Sequence, residues 1–260
     1  MPAIDSQGCP IDAEISGPAG APVLMLSNSL GTTRQMWDPQ MDAFTQRYRV
    51  IRYDRRGHGR SGAPHGPYSM EMLARDALAV MDGLGVQKAH WLGLSMGGME
   101  GMWLGANAPD RIDRLILSNT TSHYPDRKPW DDRIRLVREQ GLAAIVPGNM
   151  ERWFTRDFRE RAPETIARMT DIFLGIAPEG YIGCCEAIAA MDHRPLLPKI
   201  GARTLVIAGE HDPATPVAAG EALKAQIPGA QLAVVAASHI ANVEQPEAYA
   251  KEVLGFLAAR

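Results

Sequence analysis

Gly93-Leu94-Ser95-Met96-Gly97, with Gly98 behind it, lies between two stretches of different periodicity. Before it runs the apolar stretch Ala89–Leu94; after it Met99, Met102, Trp103 and Ala106 recur at helical spacing. The pattern predicts a strand, a very tight turn and a helix, with the serine hydroxyl lifted clear of the sheet edge. Bulky residues in place of the flanking glycines would clash in such a turn, and Gly98 lets the helix pack closely. Small residues crowd ordinary turns too, so the pentapeptide takes its meaning from the strand before it and the helix after it. Ser95 is read as a nucleophile. The Met96 N–H, first donor of the following helix, is free to bind an anion.

Working toward the N-terminus, residues 50–53 and Val23–Ser27 read as further strands, the second a continuous apolar run of the kind buried on both faces. Residues 11–16 read as an antiparallel edge strand closed by Gly17-Pro18. Between these runs, helical spacing appears around Trp37, Met41 and Phe44. It returns from the N-cap candidate Ser69 to about Leu84, with Met72, Leu73, Ala77, Val80 and Leu84 on one face. The glycine-rich stretch Asp54-Arg55-Arg56-Gly57-His58-Gly59-Arg60-Ser61 lacks the Walker lysine pattern, and no helix starts promptly after it. It reads as a shaped turn, with His58 a structural or rim histidine rather than a catalytic one.

Toward the C-terminus, residues 114–118 form another buried strand. From His123 to about Pro198 the strand pattern stops. Helical stretches carrying Trp130, Arg133, Arg135, Trp153, Phe154 and Tyr181 are punctuated by prolines. Strands resume at residues 204–208 and 231–236, with helices over 216–226 and from Gln245-Pro246 to about Leu257. Alternation of strand and helix predicts an α/β class with a mostly parallel sheet covered on both faces. The helical insertion reads as a lid (122–198) over a core made of 1–121 and 199–260. A peripheral excursion remote from any site is the other reading. An insertion directly after a strand's C-terminal end sits where open α/β sheets bind ligands.

A serine hydroxyl needs a base to take its proton, and the base needs a third group to hold its tautomer. Candidates stand at successive strand ends: Ser95, then Asp212, then His239. Asp212 competes with a plain turn role and with its neighbours Glu210 and His211. The oxyanion needs two N–H donors. One is Met96; the other, by position in the loop after the early strand, is Leu30, beside Ser29, which can add a hydroxyl contact to substrate.

This chain resembles the α/β-hydrolase superfamily over nearly its full length and, more narrowly, the enol-lactonases of aromatic catabolism. The stretches that carry the resemblance are Leu26-Ser27-Asn28-Ser29-Leu30-Gly31-Thr32, Met36-Trp37-Asp38-Pro39-Gln40, and Tyr53-Asp54-Arg55-Arg56-Gly57-His58-Gly59. Gly93-Leu94-Ser95-Met96-Gly97-Gly98-Met99, Trp103-Leu104-Gly105, Ser118-Asn119-Thr120 and Ser238-His239-Ile240-Ala241-Asn242 complete the set. The superfamily fold implied is a mostly parallel twisted sheet flanked by helices, with an all-helical lid after the sixth strand. The Asn28–Gly31 loop points to the lactonases, since many relatives carry histidine-glycine there. The implied reaction opens 3-oxoadipate enol-lactone to 3-oxoadipate through an acyl-enzyme, with no cofactor. The substrate carries one carboxylate, so a lid cation should hold it: Arg133 first, with Trp130 as an apolar wall, or Arg135. A solvated helix face is the competing reading of each arginine.

The bulk properties fit a small-molecule enzyme. A formal net charge of −3 leaves no footprint for nucleic acid or an acidic membrane. No stretch approaches the ~20 apolar residues of a membrane span, and Met1 to Pro10 shows no secretory pattern. Cys9, Cys184 and Cys185, an odd count without metal-site spacing, imply reduced thiols, a cytoplasmic location and no metal. Oligomeric state leaves no mark on the sequence. Rival functions are a general carboxylesterase, a perhydrolase-like relative, a carbon–carbon bond hydrolase, and a lid-gated small-ligand receptor that turns over little.

Overall fold

The apolar runs of the sequence become neighbouring strands in the computed structural model, which describes residues 3–259. Residues 1, 2 and 260, counted above with the core, lie outside the described residues. An antiparallel hairpin, β1 (Ile4–Ser6) and β2 (Cys9–Ile11), comes first, then β3 (Ala13–Ser16). The single strand expected over residues 11–16 is therefore broken at Asp12, whose N–H turns aside to Ser61 Oγ at 2.9 Å. β4 (Val23–Ser27), α1 (Asp38–Thr45), β5 (Arg49–Tyr53), α2 (Met70–Gly83), β6 (Ala89–Leu94), α3 (Met96–Asn107) and β7 (Ile112–Ser118) follow. Ser69 caps α2 as expected, its hydroxyl accepting from the Met72 N–H at 3.1 Å.

After β7 come five helices: α4 (Lys128–Gln140), α5 (Val146–Trp153), α6 (Arg156–Arg161), α7 (Pro163–Leu174) and α8 (Pro178–Ala189). The chain then completes the sheet with β8 (Arg203–Gly209), α9 (Val217–Gln226) and β9 (Gln231–Val235). It ends in the short α10 (Ala241–Glu244) and the long α11 (Pro246–Ala258). The helical segment follows the seventh strand along the chain, and the fifth of the main sheet. That strand is the seventh and not the expected sixth because two hairpin strands, outside the main sheet, precede that sheet's first five.

The main sheet has seven strands in the order β3-β5-β4-β6-β7-β8-β9, parallel throughout except for β3 at one edge. Every residue of β6 is buried, and Leu24, Met25, Leu26, Leu115, Ile116 and Leu117 of its two neighbours have no exposed surface. Burial of each such side chain contributes about 1.5–3 kcal/mol. Those continuous runs, rather than alternating ones, are what a sheet covered on both faces requires. Parallel pairing also sends the C-terminal ends of β4, β6, β7 and β8 to one edge, and the loops of the site all leave from there. All three cysteines are free and buried. Among the described residues no single helix is long and apolar enough to cross a membrane.

Candidate active site

The turn between β6 and α3 is as tight as the sequence demands. A Cβ on Gly93 would stand 2.0 Å from the Gly97 carbonyl oxygen, and one on Gly97 would stand 2.3 Å from that of Ser27. Ser95 itself is held at φ 56°, ψ −111°, a conformation that costs a non-glycine residue on the order of 1–3 kcal/mol. Neighbouring strands hold it there. Its N–H donates to the Ser118 carbonyl at 2.8 Å, and its own carbonyl accepts from Thr120 Oγ1 at 2.7 Å.

The loop after β9, at Ser238-His239, brings an imidazole 144 residues further along the chain to this serine: His239 Nε2 lies 2.9 Å from Ser95 Oγ. His239 Nδ1 lies 2.8 Å from Asp212 Oδ2. Since the carboxylate can only accept, the ring proton sits on Nδ1 and Nε2 is left to accept from the serine hydroxyl. The structure therefore brings Ser95, Asp212 and His239 together in one chain of hydrogen bonds. Glu210 and His211, the alternatives to Asp212, are exposed and stand outside it.

Asp212 is held by more than its histidine. Its Oδ2 also accepts from Thr215 Oγ1 at 2.6 Å and Asn119 Nδ2 at 3.0 Å, while Oδ1 accepts the N–H groups of Ala214 and Thr215. Burial alone would raise its pKa. The charge of His239 and the hydrogen bonds from His239, Thr215 and Asn119 outweigh it, and the carboxyl is drawn down to about 2. In the sequence reading Asn119 appears only within the stretch Ser118-Asn119-Thr120, with no role of its own, and Thr215 does not appear. The one signal was position: Asn119 ends β7 and Thr215 stands three residues past the acid.

Two backbone donors near the serine are left without partners among the described residues. In the first turn of α3, the N–H of Gly97 goes to the Asn28 carbonyl, and those of Gly98 and Met99 go to the Ser95 carbonyl. The Met96 N–H takes no partner among the described residues. In the loop after β4, the Ser29 N–H meets Met36 Sδ at 3.4 Å and the Gly31 N–H donates to His58 Nε2 at 3.0 Å. Between them the Leu30 N–H is likewise uncommitted among the described residues.

Beneath this floor lies a buried ion pair. Arg55 Nη2 stands 3.0 Å from Glu100 Oε1, and both side chains are at most 1 % exposed. Glu100 Oε2 accepts from Ser27 Oγ and Tyr53 Oη, and Arg55 donates to the Asn28 carbonyl at 2.8 Å. Glu100 belongs to α3 and Asn28 to the loop after β4, so the pair joins the two segments that carry Met96 and Leu30.

Above the floor a cavity of about 250 Å³ opens between the strand ends and the helical segment. Ser29, Leu30, Ser95 and His239 line it from below; Trp130, Arg133, Arg152 and Tyr181 are among the residues that line it from above. Arg133 lies over the Trp130 ring, 5.2 Å from its centroid, and donates to Tyr181 Oη at 3.1 Å. Arg152, which sequence reasoning missed, donates to Asn149 Oδ1. Neither guanidinium lies within ion-pair distance of a carboxylate among the described residues. Asp126, the acid at the cavity rim, is exposed and accepts from the Lys128 N–H. Burial and the neighbouring charge of Arg133 pull the Arg152 pKa down to about 10.

Arg135 corrects the expectation. It is exposed, pairs with Asp132 and lines a separate surface groove with Arg127 and Arg138. Two residues along an α-helix are about 200° apart, so a helix that turns Arg133 inward must turn Arg135 outward. Among the described residues no group of three or more histidine, cysteine or acidic side chains is placed to hold a metal.

Known proteins resemble this chain over most of its length. The family model for the alpha/beta hydrolase fold matches residues 22–246. The chain is 44% identical to 3-oxoadipate enol-lactonase 2 of Acinetobacter baylyi, over 90% of this chain and 87% of that one. It is 37% identical to 3-oxoadipate enol-lactonase 1 of the same organism, over 96% and 94%. The crystal structure of the enol-lactonase from Burkholderia xenovorans LB400 superimposes with a TM-score of 0.96 at 43% identity, covering 97% of this chain and 98% of that chain.

Proposed function

The chain belongs to the alpha/beta hydrolase family, and from that premise we propose that it opens 3-oxoadipate enol-lactone to 3-oxoadipate. Ser95 is the nucleophile, His239 its base and Asp212 the group that orients the base. The Leu30 and Met96 N–H groups form the oxyanion hole. Residues 122–198 act as the cap that chooses the substrate, and 1–121 with 199–260 as the catalytic core.

The steps follow from the geometry. His239 Nε2 takes the Ser95 proton as Oγ attacks the lactone carbonyl, and the two N–H groups stabilise the charge that develops on oxygen. The ring C–O bond breaks, and the departing enol oxygen receives the proton from His239. The enol then becomes a ketone, which removes the nucleophile for re-closure. His239 next deprotonates a water that attacks the acyl-enzyme, and returns that proton to Ser95 as the acid leaves.

One observation carries the choice of substrate: two guanidiniums, Arg133 and Arg152, line a cavity next to Ser95 and have no carboxylate partner among the described residues. Half-buried charge of one sign, facing a cavity, calls for a ligand of the other. A lactone with one carboxylate beside its ring supplies it, and the names of the relatives at 44% and 37% identity agree with that substrate. The test is to measure kcat/KM for 3-oxoadipate enol-lactone beside neutral p-nitrophenyl acetate. Preference for the lactone by about 100-fold or more is expected when the guanidiniums gain a charged partner inside the cavity; equal turnover of the two would remove the carboxylate from the proposal.

A further inference from the structure

The loop that leaves β5, residues 54–61, supplies no reacting group to the scheme above, yet it touches both walls of the cavity. His58 lies in it, 1 % exposed. Its Nε2 accepts the Gly31 N–H at 3.0 Å, and its Nδ1 faces the Arg56 carbonyl at 3.4 Å. A backbone N–H can only donate and a carbonyl can only accept, so the two fix one neutral tautomer, with the proton on Nδ1. Burial first, then the charge of Arg55, holds the ring in that neutral form by lowering its pKa to about 3.

What this ring holds is the segment around Leu30. Gly31, at φ 77°, is the next residue, and its N–H belongs to the peptide that carries the Leu30 carbonyl. On the other side, the Asn28 carbonyl accepts from Arg55 Nη2 and from the Gly97 N–H. The Leu30 N–H thus stands between two anchors, both supplied or shared by the 54–61 loop. The same loop meets the helical segment at Gly57, where an added Cβ would stand 2.4 Å from Gly180 Cα at the start of α8. Tyr181, the next residue, is the partner of Arg133.

From this geometry we propose that His58 is a positioning residue for the reaction: by accepting the Gly31 N–H it sets the direction of the Leu30 N–H, and so governs stabilisation of the oxyanion rather than binding of the substrate. The proposal rests on the role given above to Ser95 and Leu30. A donor that drifts by a fraction of an ångström loses most of its value in the transition state and almost none in the ground state.

The experiment uses neutral p-nitrophenyl acetate, so that it does not depend on the lactone assignment. Phenylboronic acid serves as a reporter, because its serine adduct places an oxygen where the oxyanion forms. His58→Phe keeps a ring of similar size without the acceptor. It should lower kcat about 30-fold, with KM within about twofold, and weaken phenylboronic acid by a factor close to the loss in kcat. His58→Gln places an amide oxygen where Nε2 stood and should return kcat to within about threefold of the parent. His58→Asn, whose oxygen falls where Nδ1 stood, should not. If the Phe variant does not fold, the contrast between Gln and Asn decides. Equal kinetics for those two, or a loss confined to KM with boronic acid affinity unchanged, would overturn the proposal. Ser95→Ala run in parallel separates the two layers. Retained turnover would overturn the serine reading itself, whereas abolished turnover with Gln and Asn alike would overturn only the role of His58.

Discussion

The floor and the roof of the cavity hold their charges in opposite ways. On the floor, Asp212 receives five hydrogen bonds, and His239 and Ser95 complete the chain with no atom borrowed from a ligand. In the roof, Arg133 has a phenol and an aromatic face, Arg152 has an amide oxygen, and neither has an acid among the described residues. The floor is electrostatically closed before substrate arrives; on the proposed function, the roof is closed by the substrate. Chemistry should therefore fail when the floor is altered whatever the substrate, and selectivity should fail when the roof is altered for anionic substrates alone.

The sharpest way to break this contrast is at the floor. Ser95→Ala is expected to lower kcat by about 10⁵-fold on the lactone and on a neutral ester alike. Steady-state assays on both check it, and a loss restricted to one substrate would erase the division between floor and roof. Asp212→Asn should cost about 10³–10⁴-fold, because the amide no longer selects the Nδ1–H tautomer.

The same aspartate also links the floor to stability. Its folded pKa, about 2, lies below the ordinary ~3.9 of an unfolded chain. Its ionised form thus stabilises the fold above the unfolded value, and that contribution is lost as pH falls from about 5 toward 2, on the order of 2 kcal/mol in all. Urea midpoints measured across that window should fall less steeply for Asp212→Asn than for the parent. Parallel slopes would remove the carboxylate's link to acid stability.

Moving to the roof, Arg133→Ala should lower kcat/KM for the carboxylated lactone by about 30-fold or more, while p-nitrophenyl acetate changes by less than about threefold. Arg152→Ala should act in the same direction but less, by about 5–10-fold, since removing it also relieves the like charge on Arg133. Competition by a free dicarboxylate against the neutral ester gives the same order independently. Equal losses on both substrates would mean that the arginines shape the cavity without reading charge.

The floor was legible in the sequence because its groups stand at strand ends, and parallel strands put their ends at one edge. Ser95, Asp212 and His239 could be placed from apolar runs and the loops after them. Leu30 and Met96 follow from position, because a backbone donor needs no particular side chain. What holds the floor was not legible. Asn119 and Thr215 reach Asp212 across distances that only the pairing of β7 with β8 sets; His58 reads from the sequence as structural, but its bond to the Gly31 N–H depends on the pairing of β4 with β5. The hairpin at residues 4–11 and the short α10 were missed because three or four residues are too few to show a period. The roof was half legible: Trp130 and Arg133, three residues apart, share a helix face, whereas Arg152 enters only because α5 docks beside the His239 loop. That docking is tertiary. The Ile240 N–H donates to the Trp153 carbonyl at 3.0 Å, and Ser238 Oγ donates to that of Arg152 at 2.8 Å.

The smallest expected effect is the most direct check on the helix geometry. Arg135 was a candidate equal in kind to Arg133, two positions away on α4, and the structure turns it to solvent beside Asp132. An exposed pair of this sort is screened by water and salt and contributes little. Arg135→Ala should therefore leave kcat/KM for the lactone within about twofold of the parent and Tm within about 1 °C. Because Arg133→Ala and Arg135→Ala remove the same charge from the same helix, comparing them cancels any long-range effect of net charge on an anionic substrate. A fall for Arg135→Ala approaching that for Arg133→Ala would mean that the roof attracts its ligand by overall field. A flat response, with the loss confined to position 133, would leave contact with one guanidinium face as the source of selectivity.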